Sequence, residues 1–317
     1  MTSTHGILCY IIPKSFTYAS NYSTIRNYVE EELTFLVDCG KAFEKVKLEA
    51  CIVGLKRNTQ NKHYKSILFD RNKRFKKIGD IDKQLKTQFG FYPNGITPSE
   101  ISLGIKILKN SLYLNSIATN SRGEMLQKHL LSNGKFPVIG GKEIDRYGVK
   151  NVKGYLDSKG FITDKAKIAT NSVLVQNIVA HITKPFDQIK IIASIPENKD
   201  ILILDTINQI TIFNEVYTKE IIWAVLNSKL TNWFAYLFVF AKAIRTMHFD
   251  NSVTERIPIP NNILSVKEKV SEIVNQINNF RTNNLNHDVA DLERQIDQII
   301  FQLYNLSDEE IAIIENT

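Results

Sequence analysis

The sequence is poor in the residues that most catalytic chemistry needs. It holds six histidines and three cysteines in 317 residues, and no histidine pairs with Cys, Asp or Glu at metal-ligand spacing. Cys9, Cys39 and Cys51 form no Cys-x-x-Cys and stand inside apolar runs, so they read as buried, reduced thiols of a cytoplasmic protein. The eight prolines are never adjacent, which excludes an Asn-Pro-Pro-Tyr loop. There is no Gly-x-Gly-x-x-Gly for a dinucleotide or S-adenosylmethionine, no Gly-x-Ser-x-Gly for an activated serine, and no nuclease-like cluster of carboxylates and lysine. The longest uncharged apolar run, Trp233 to Ala241, is about half a membrane span. Residues 1–15 lack the basic start and small-residue cleavage site of a secretory signal. Together these absences argue against a complete enzyme and against a membrane protein.

What is present is an ordinary globular composition, 43% hydrophobic and 23% charged, in a chain long enough for two domains. The formal charge of +7 is unevenly spread. Residues 56–86 hold 11 Lys and Arg against 3 Asp, while residues 264–317 carry a net −6. Clustered positive charge suits a phosphate backbone, and a solvated basic loop explains it equally well.

Periodicity divides the chain further. GILCYIIP (6–13) reads as a buried strand ended by proline. Residues 20–33 place Tyr22, Ile25, Tyr28 and Val29 on one helical face, with Arg26 and the glutamates outside. Residues 35–37 and 50–55 read as two more strands. A basic connection over 58–110 follows, with a helix expected from Pro98 through Lys109. Short β-type runs then surround one strong helical signal at 219–238, whose Trp223, Trp233 and Phe234 read as core. The PIP at 258–260 closes that region. Two amphipathic helices end the chain, one repeating Val266, Val270, Ile273, Ile277 and Phe280, the other Val289, Leu292, Ile296, Ile299 and Leu303. The fold class expected is α/β: a partial sheet over 1–57, a mixed α/β domain over 111–263, and an antiparallel helical pair over 264–317.

The most chemically suggestive stretch is VIGGKEIDRYGVK (138–150), where a Gly-Lys follows a hydrophobic run. A phosphate-binding P-loop needs a glycine five residues before that pair and Ser or Thr after it. Phe136 and Glu143 occupy those positions, and a carboxylate there repels a triphosphate. A nucleic-acid backbone contact and a plain turn remain.

In this order the parts resemble the C-terminal half of an adenine-N6 DNA methyltransferase of the TaqI type, an arrangement shared by combined restriction–modification enzymes. Four stretches carry the resemblance. GILCYIIPKSF, YSTIRNYV and GKAFEKVKLEACIVGLKR (6–57) look like the last strands of the methyltransferase domain. FPVIGGKEIDRYGVK (136–150) is similar to the opening of the target-recognition domain. KIATNSVLVQNIVAHI, IIWAVLNSKLTNWF and RTMHFDNSVTERIPIP (168–260) are similar to its body. LERQIDQIIFQLYNLSDEEIAIIE (292–315) resembles the helical ending.

The resemblance implies roles. Phe43 matches the aromatic residue that stacks on an adenine flipped from the duplex, an interaction worth about 1–3 kcal/mol. Lys142, Arg146, Tyr147, Lys150, Lys153 and Gln176 become candidate DNA contacts, with Asn177 beside them and the glycines allowing close backbone approach. Lys242, Arg245 and His248 form a second candidate set, which a solvated face also accounts for. Lys56, Arg57, Arg71, Lys73, Arg74, Lys76 and Lys77 would serve the DNA backbone. The family's cofactor loop and Asn-Pro-Pro-Tyr would lie upstream of residue 6. These residues alone are therefore expected to bind no S-adenosylmethionine and to methylate nothing, as a fragment or as one piece of a split enzyme. The expected partners are double-stranded DNA and an N-terminal methyltransferase portion or separate methylase chain, with no membrane. Two other readings stand beside this one: a type I-like specificity subunit that docks methylase chains, and a protein-interaction scaffold that ignores DNA.

Overall fold

The computed structural model of the chain describes all residues except 1, 2, 4, 5, 44, 46, 47, 71, 73, 158–161, 197–199, 245, 246, 284–286 and 317. It forms two compact units. The first comprises Met1–Ile105 and Tyr236–Ala243, the second Lys106–Ala235 and Ile244–Thr317.

The first unit is built on strands β1 (Ile7–Pro13), β2 (Leu33–Gly40), β3 (Ala50–Lys56), β4 (His63–Phe69) and β5 (Phe75–Asp82). Helix α1 (Ser23–Val29) joins β1 to β2, and α2 (Leu85–Phe89) and α3 (Pro98–Lys109) follow β5. The sheet order is β1-β3-β2-β4-β5, antiparallel throughout except for the β2–β4 pair. The stretch expected to be a basic connection therefore supplies two strands of this sheet. Its period-two pattern is hidden by lysines: Tyr64 and Ser66 are buried, while His63 and Lys65 between and beside them are exposed.

One face of the sheet is packed over β2 to β5, while Tyr10 of β1 on the same face is 57% exposed. Leu36, Cys51, Val53, Tyr64 and Ile81 are buried there, and so are Phe91, Tyr92 and Ile96 from the irregular segment before α3. The Tyr64 hydroxyl donates to the Pro93 carbonyl at 2.5 Å, and Ser66 Oγ donates to Asn94 Oδ1 at 2.9 Å, so the segment's polar groups are satisfied inside. Phe238 of the segment 236–243 stacks on Phe89 with ring centroids 4.5 Å apart.

The opposite face is apolar and only partly covered. Val37, Cys39 and Ala50 are buried among Phe35, Ile52, Ile67 and Phe69. Toward both edges the cover ends, leaving Ile7 64%, Ile11 50% and Phe75 64% exposed. Two expectations are corrected here. Strand β1 is largely exposed instead of buried, and Cys9 on it is an exposed thiol, because hydrophobicity marks a strand without revealing what lies over it. Cys39 and Cys51 are buried as expected, and burial pushes the Cys51 thiol up to about 12.

Helix α1 also turns differently from its apolar pattern. Arg26 is buried, donating from Nη1 to the carbonyls of Phe16 at 2.9 Å and Ala19 at 2.7 Å. Ile25 and Tyr28 face outward instead. The guanidinium is needed inside because it satisfies carbonyls of the turn that follows β1.

The second unit is mixed α/β. Its strands are β6 (Ser111–Tyr113), β7 (Ala118–Arg122), β8 (Phe136–Ile139), β9 (Ile144–Asp145), β10 (Gly148–Val149), β11 (Gly154–Leu156), β12 (Ser172–Gln176), β13 (Ala180–Ile182), β14 (Gln188–Lys190), β15 (Ala193–Ser194), β16 (Leu202–Ile203) and β17 (Ile207–Ile212). They form a four-stranded sheet β15-β12-β17-β7, a three-stranded sheet β11-β8-β16 and smaller pairs. Leu174, Ile203 and Ile207 join Ile139 and Ile144 in one core, so the turn after β8 is anchored from both sides.

The strong helical signal at 219–238 is a chain of shorter pieces. Helix α4 (Lys219–Asn227) stops at Ser228, which takes an extended backbone and accepts from Thr231 N, so it caps α5 (Lys229–Phe234). A π-helical turn, Ala235–Val239, follows directly. Trp223, Trp233 and Phe234 are buried, as their spacing implied. A short helix α6 (Asn251–Thr254) and strand β18 (Pro258–Pro260) lead to the tail.

Among its described residues the tail has three helices where two were expected: α7 (Lys267–Asn283), α8 (Ala290–Leu303) and α9 (Asp308–Glu315). Asn262, just before α7, donates to the carbonyl of Leu303 at the far end of α8, so that pair runs antiparallel. Val270, Ile273 and Ile277 of α7 and Ile296, Ile299 and Leu303 of α8 are buried. Helix α9 starts with a capping box in which Ser307 and Glu310 satisfy each other's backbone amides.

Candidate nucleic-acid interface

The turn after β8 is shaped by its own side chains. Gly140 N donates to Glu143 Oε2 at 2.9 Å, and Gly141 N donates to Thr206 Oγ1 at 3.0 Å. A buried carboxylate thus takes the amide that a phosphate would need. The glycines are required by packing within the protein, since a Cβ on Gly141 would stand 2.7 Å from the Thr206 carbonyl oxygen. Gln176 lies at the end of β12 and donates from Nε2 to the carbonyls of Gly141 at 2.7 Å and Ile144 at 3.0 Å. Its amide holds the turn in place.

Of the basic residues around this turn, Lys142, Lys150 and Lys153 are exposed, with Lys153 Nζ 3.9 Å from Glu143. Arg146 and Tyr147 are engaged elsewhere. Arg146 Nη1 donates to Glu293 Oε1 of α8 at 2.6 Å, and the Tyr147 hydroxyl donates to the same oxygen at 3.0 Å. The Arg281 guanidinium of α7 lies 4.2 Å from the Tyr147 ring centroid. The Arg146 carbonyl accepts from Trp223 Nε1 at 2.7 Å, tying the same point to α4. Burial and the Glu293 carboxylate raise the Tyr147 pKa above its ordinary value. A contact of Arg146 with DNA would first have to break this ion pair.

A second cluster forms where residues 177–179 lie against 247–249. Val179 N donates to Met247 O, and Phe249 N donates to Asn177 O. This brings Asn177, which is 3% exposed, within 3.1 Å of His248 Nδ1, while the His248 ring is exposed. Ile178 between them is 62% exposed. Lys242 belongs to the first unit, where its Nζ donates to Gly95 O at 3.1 Å. Arg245 lies outside the described residues.

The first unit carries the basic hairpin and Phe43. Lys56, Arg57, Arg74, Lys76 and Lys77 are all exposed, with Lys77 bonded to Asp80 at 2.5 Å; Arg71 and Lys73 lie outside the described residues. The Lys77 hydrogen bond holds the Asp80 carboxyl below its ordinary pKa. Phe43 follows β2 and is half exposed, in a segment rich in lysine.

One polar group was missed by sequence reasoning. Arg122, at the end of β7, donates from Nε and Nη2 to the Asp205 carbonyl at 3.0 and 2.8 Å, and Gln127 bonds the Asp205 carboxylate. With Ser121, Met125 and Lys165, Arg122 and Asp205 line an open cavity of about 370 Å³. The available signal was Gly123, where a Cβ would stand 2.4 Å from the Leu204 carbonyl oxygen. Among the described residues no group of three His, Cys, Asp or Glu is arranged to hold a metal ion, and no helix is long and apolar enough to cross a membrane.

Comparison with solved structures places the fold. The chain is similar to the type IIL restriction–modification enzyme MmeI, solved in complex with DNA, at 11% identity and a TM-score of 0.60, over 99% of this chain and 50% of that one. Weaker likenesses are the type IIG restriction endonuclease BpuSI (10% identity, TM-score 0.39, 95% and 47% covered) and a type I restriction–modification S subunit from M. genitalium (11%, 0.35, 66% and 50%). The chain spans about half the length of these structures. No curated protein matches it. The fold is thus shared with a restriction–modification enzyme. Within it, residues 136–259 match the TaqI-like C-terminal specificity domain; most of the matched residues lie in the second unit, and residues 236–243 in the first.

Proposed function

We propose that this chain is the DNA sequence-recognition portion of a restriction–modification adenine-N6 DNA methyltransferase. The observation that carries the reading is the TaqI-like specificity domain over residues 136–259, joined to a basic β-sheet unit that offers phosphate contacts. In this reading the turn after β8 presents Lys142, Lys150 and Lys153 to the DNA backbone. Gln176, Arg146 and Tyr147 hold the turn in register. Ile178 and His248 form the base-facing cluster, with the buried Asn177 amide fixing the imidazole from behind, because a held imidazole beside an exposed aliphatic group suits base edges in the major groove. Phe43 stacks on the flipped adenine, and the β4–β5 hairpin follows the phosphates.

The methyl donor, S-adenosylmethionine, would be held by a methyltransferase portion outside these residues, which lack the donor loop and Asn-Pro-Pro-Tyr. A place for that portion is supported by the uncovered apolar face of the first sheet, around Ile7, Ile11 and Phe75. Selection of bound sequences from a random duplex pool tests the reading. One motif is expected, with binding that weakens as salt rises. A pool that stays random would remove base reading, and no binding at low salt would leave the interaction scaffold.

A further inference from the structure

We propose that Lys14 is the positioning residue for Phe43: its buried ammonium pins both ends of the segment that carries the stacking ring. This rests on the reading that Phe43 stacks on a flipped base.

The geometry is specific. Lys14 is 5% exposed, and its Nζ reaches three acceptors: Asp38 Oδ2 at 2.8 Å, Glu49 Oε1 at 3.3 Å and the Lys242 carbonyl at 3.0 Å. An ammonium has three N–H groups, so each acceptor takes one. Asp38 stands in β2 just before the Phe43 segment, and Glu49 stands immediately before β3, just after it. The two carboxylates therefore clamp the segment at entry and exit through one cation. The backbone repeats the clamp, because Lys14 N donates to Glu49 O at 2.8 Å and Asp38 Oδ1 accepts from Gly40 N at 3.0 Å. Gly40 turns the chain out of β2 at φ +51°, a conformation that side chains other than glycine's rarely adopt.

The third acceptor is equally deliberate. Ala241 and Lys242 both have positive φ, at 51° and 56°, and Lys242 N closes the π-helical turn on the Tyr236 carbonyl at 2.8 Å. This strained pair directs the Lys242 carbonyl at Lys14 and its amine at Gly95. Burial works against the Lys14 charge, but Asp38 and Glu49 outweigh it and hold the amine above its ordinary pKa. One buried cation facing two carboxylates is a costly arrangement for stability alone. It has a use if the half-exposed Phe43 ring must be presented at one place beyond the end of β2.

Photo-cross-linking reads this directly. In a duplex carrying the selected motif, 5-iodouracil replaces each adenine in turn, the complex is saturated with protein and irradiated, and the adduct is mapped by mass spectrometry. The native protein is expected to cross-link through Phe43 at one position only. Lys14→Met should lower that yield about fivefold or more, the loss expected when a stacked base is no longer met by its ring. Lys14→Arg, which can still reach two carboxylates, should recover most of it. Glu49→Gln keeps the Lys14–Asp38 pair and should fall between, which covers the case that Lys14→Met does not fold. No adduct at Phe43 with the native protein would overturn the stacking reading itself. A native adduct that Lys14→Met and Glu49→Gln both retain would overturn only the role of Lys14, and so would a loss that Lys14→Arg does not restore.

Discussion

Replacing Asp297 by Asn should stabilise the second unit at pH 8 and leave it almost unchanged at pH 4. Asp297 sits on α8, is 8% exposed, and accepts a hydrogen bond from Lys229 N at the start of α5 at 2.8 Å. Burial raises its pKa to about 6, against the opposing pull of that amide, the Lys229 charge and Arg146. In the unfolded chain the carboxyl returns to its ordinary value near 3.8. Between those two values the folded protein keeps a proton that the unfolded chain has lost. Stability therefore falls as pH rises through that window and is level above it. About two pKa units correspond to about 3 kcal/mol at pH 8. The amide of the Asp297→Asn variant would carry no charge to desolvate, and its side-chain carbonyl can still accept from Lys229 N. Urea unfolding from pH 4 to 8 gives the comparison. Its probe is intrinsic tryptophan fluorescence, because Trp223 and Trp233, the chain's two tryptophans, are both buried in this unit. Groups common to both proteins cancel in the difference curve. A difference that does not change with pH, or an Asn variant that is weaker at pH 8, would refute the reasoning.

Other outcomes follow from single contacts. Glu293→Ala removes the acceptor shared by Arg146 and Tyr147 and should destabilise the second unit by about 1–3 kcal/mol; an unchanged urea midpoint would mean the latch is decorative. Gly54→Ala would set a Cβ 2.2 Å from the Phe35 ring and should cost about 1–3 kcal/mol. Calorimetry showing no shift in Tm would contradict that packing. Arg74→Gln with Lys76→Gln should flatten the slope of log affinity against log salt by about 1–2. If the slope is unaltered, the hairpin does not lie on the phosphates.

How much of this was legible beforehand depends on what each feature rests on. Features set by local periodicity could be read directly. The buried tryptophans and the buried apolar residues of α7 and α8 follow from apolar spacing, and the helix from Pro98 to Lys109 from Pro98 and Glu100 at its start. Features set by what covers a surface could not. The apolar run of β1 is the same whether or not something lies over it, so Cys9 and Ile11 looked buried. Charge misled in both directions. Lysines on one side of β4 and β5 concealed two strands, and Arg26 looked like a solvated residue although carbonyls of a neighbouring turn hold it inside.

The candidate interface shows the same division. The residues around 138–150 are placed at one turn, as their succession implied, but their partners come from far along the chain: Thr206, Gln176 and Glu293. No spacing rule connects Arg146 to a residue 147 positions later. The break at Ser228 was visible in principle, since Ser followed by Lys-Leu-Thr is an ordinary cap, yet the apolar stripe ran through it. Helix α9 likewise announced itself by Ser307 and Glu310.

The segment Tyr236–Ala243 belongs to the first unit although both of its flanks belong to the second. During synthesis the sheet unit emerges first but lacks Phe238 and the Lys242 carbonyl until more than 130 further residues have been made. It therefore finishes folding only after residues 106–235 of the second unit have appeared. Exchange of recognition sequences between such proteins meets the same condition. A graft running from the end of α3 to β18 removes a piece of the recipient's first core along with the second-unit residues it replaces. A graft that keeps the recipient's residues 236–243, and with them the partners of Lys14 and Phe89, leaves that core intact.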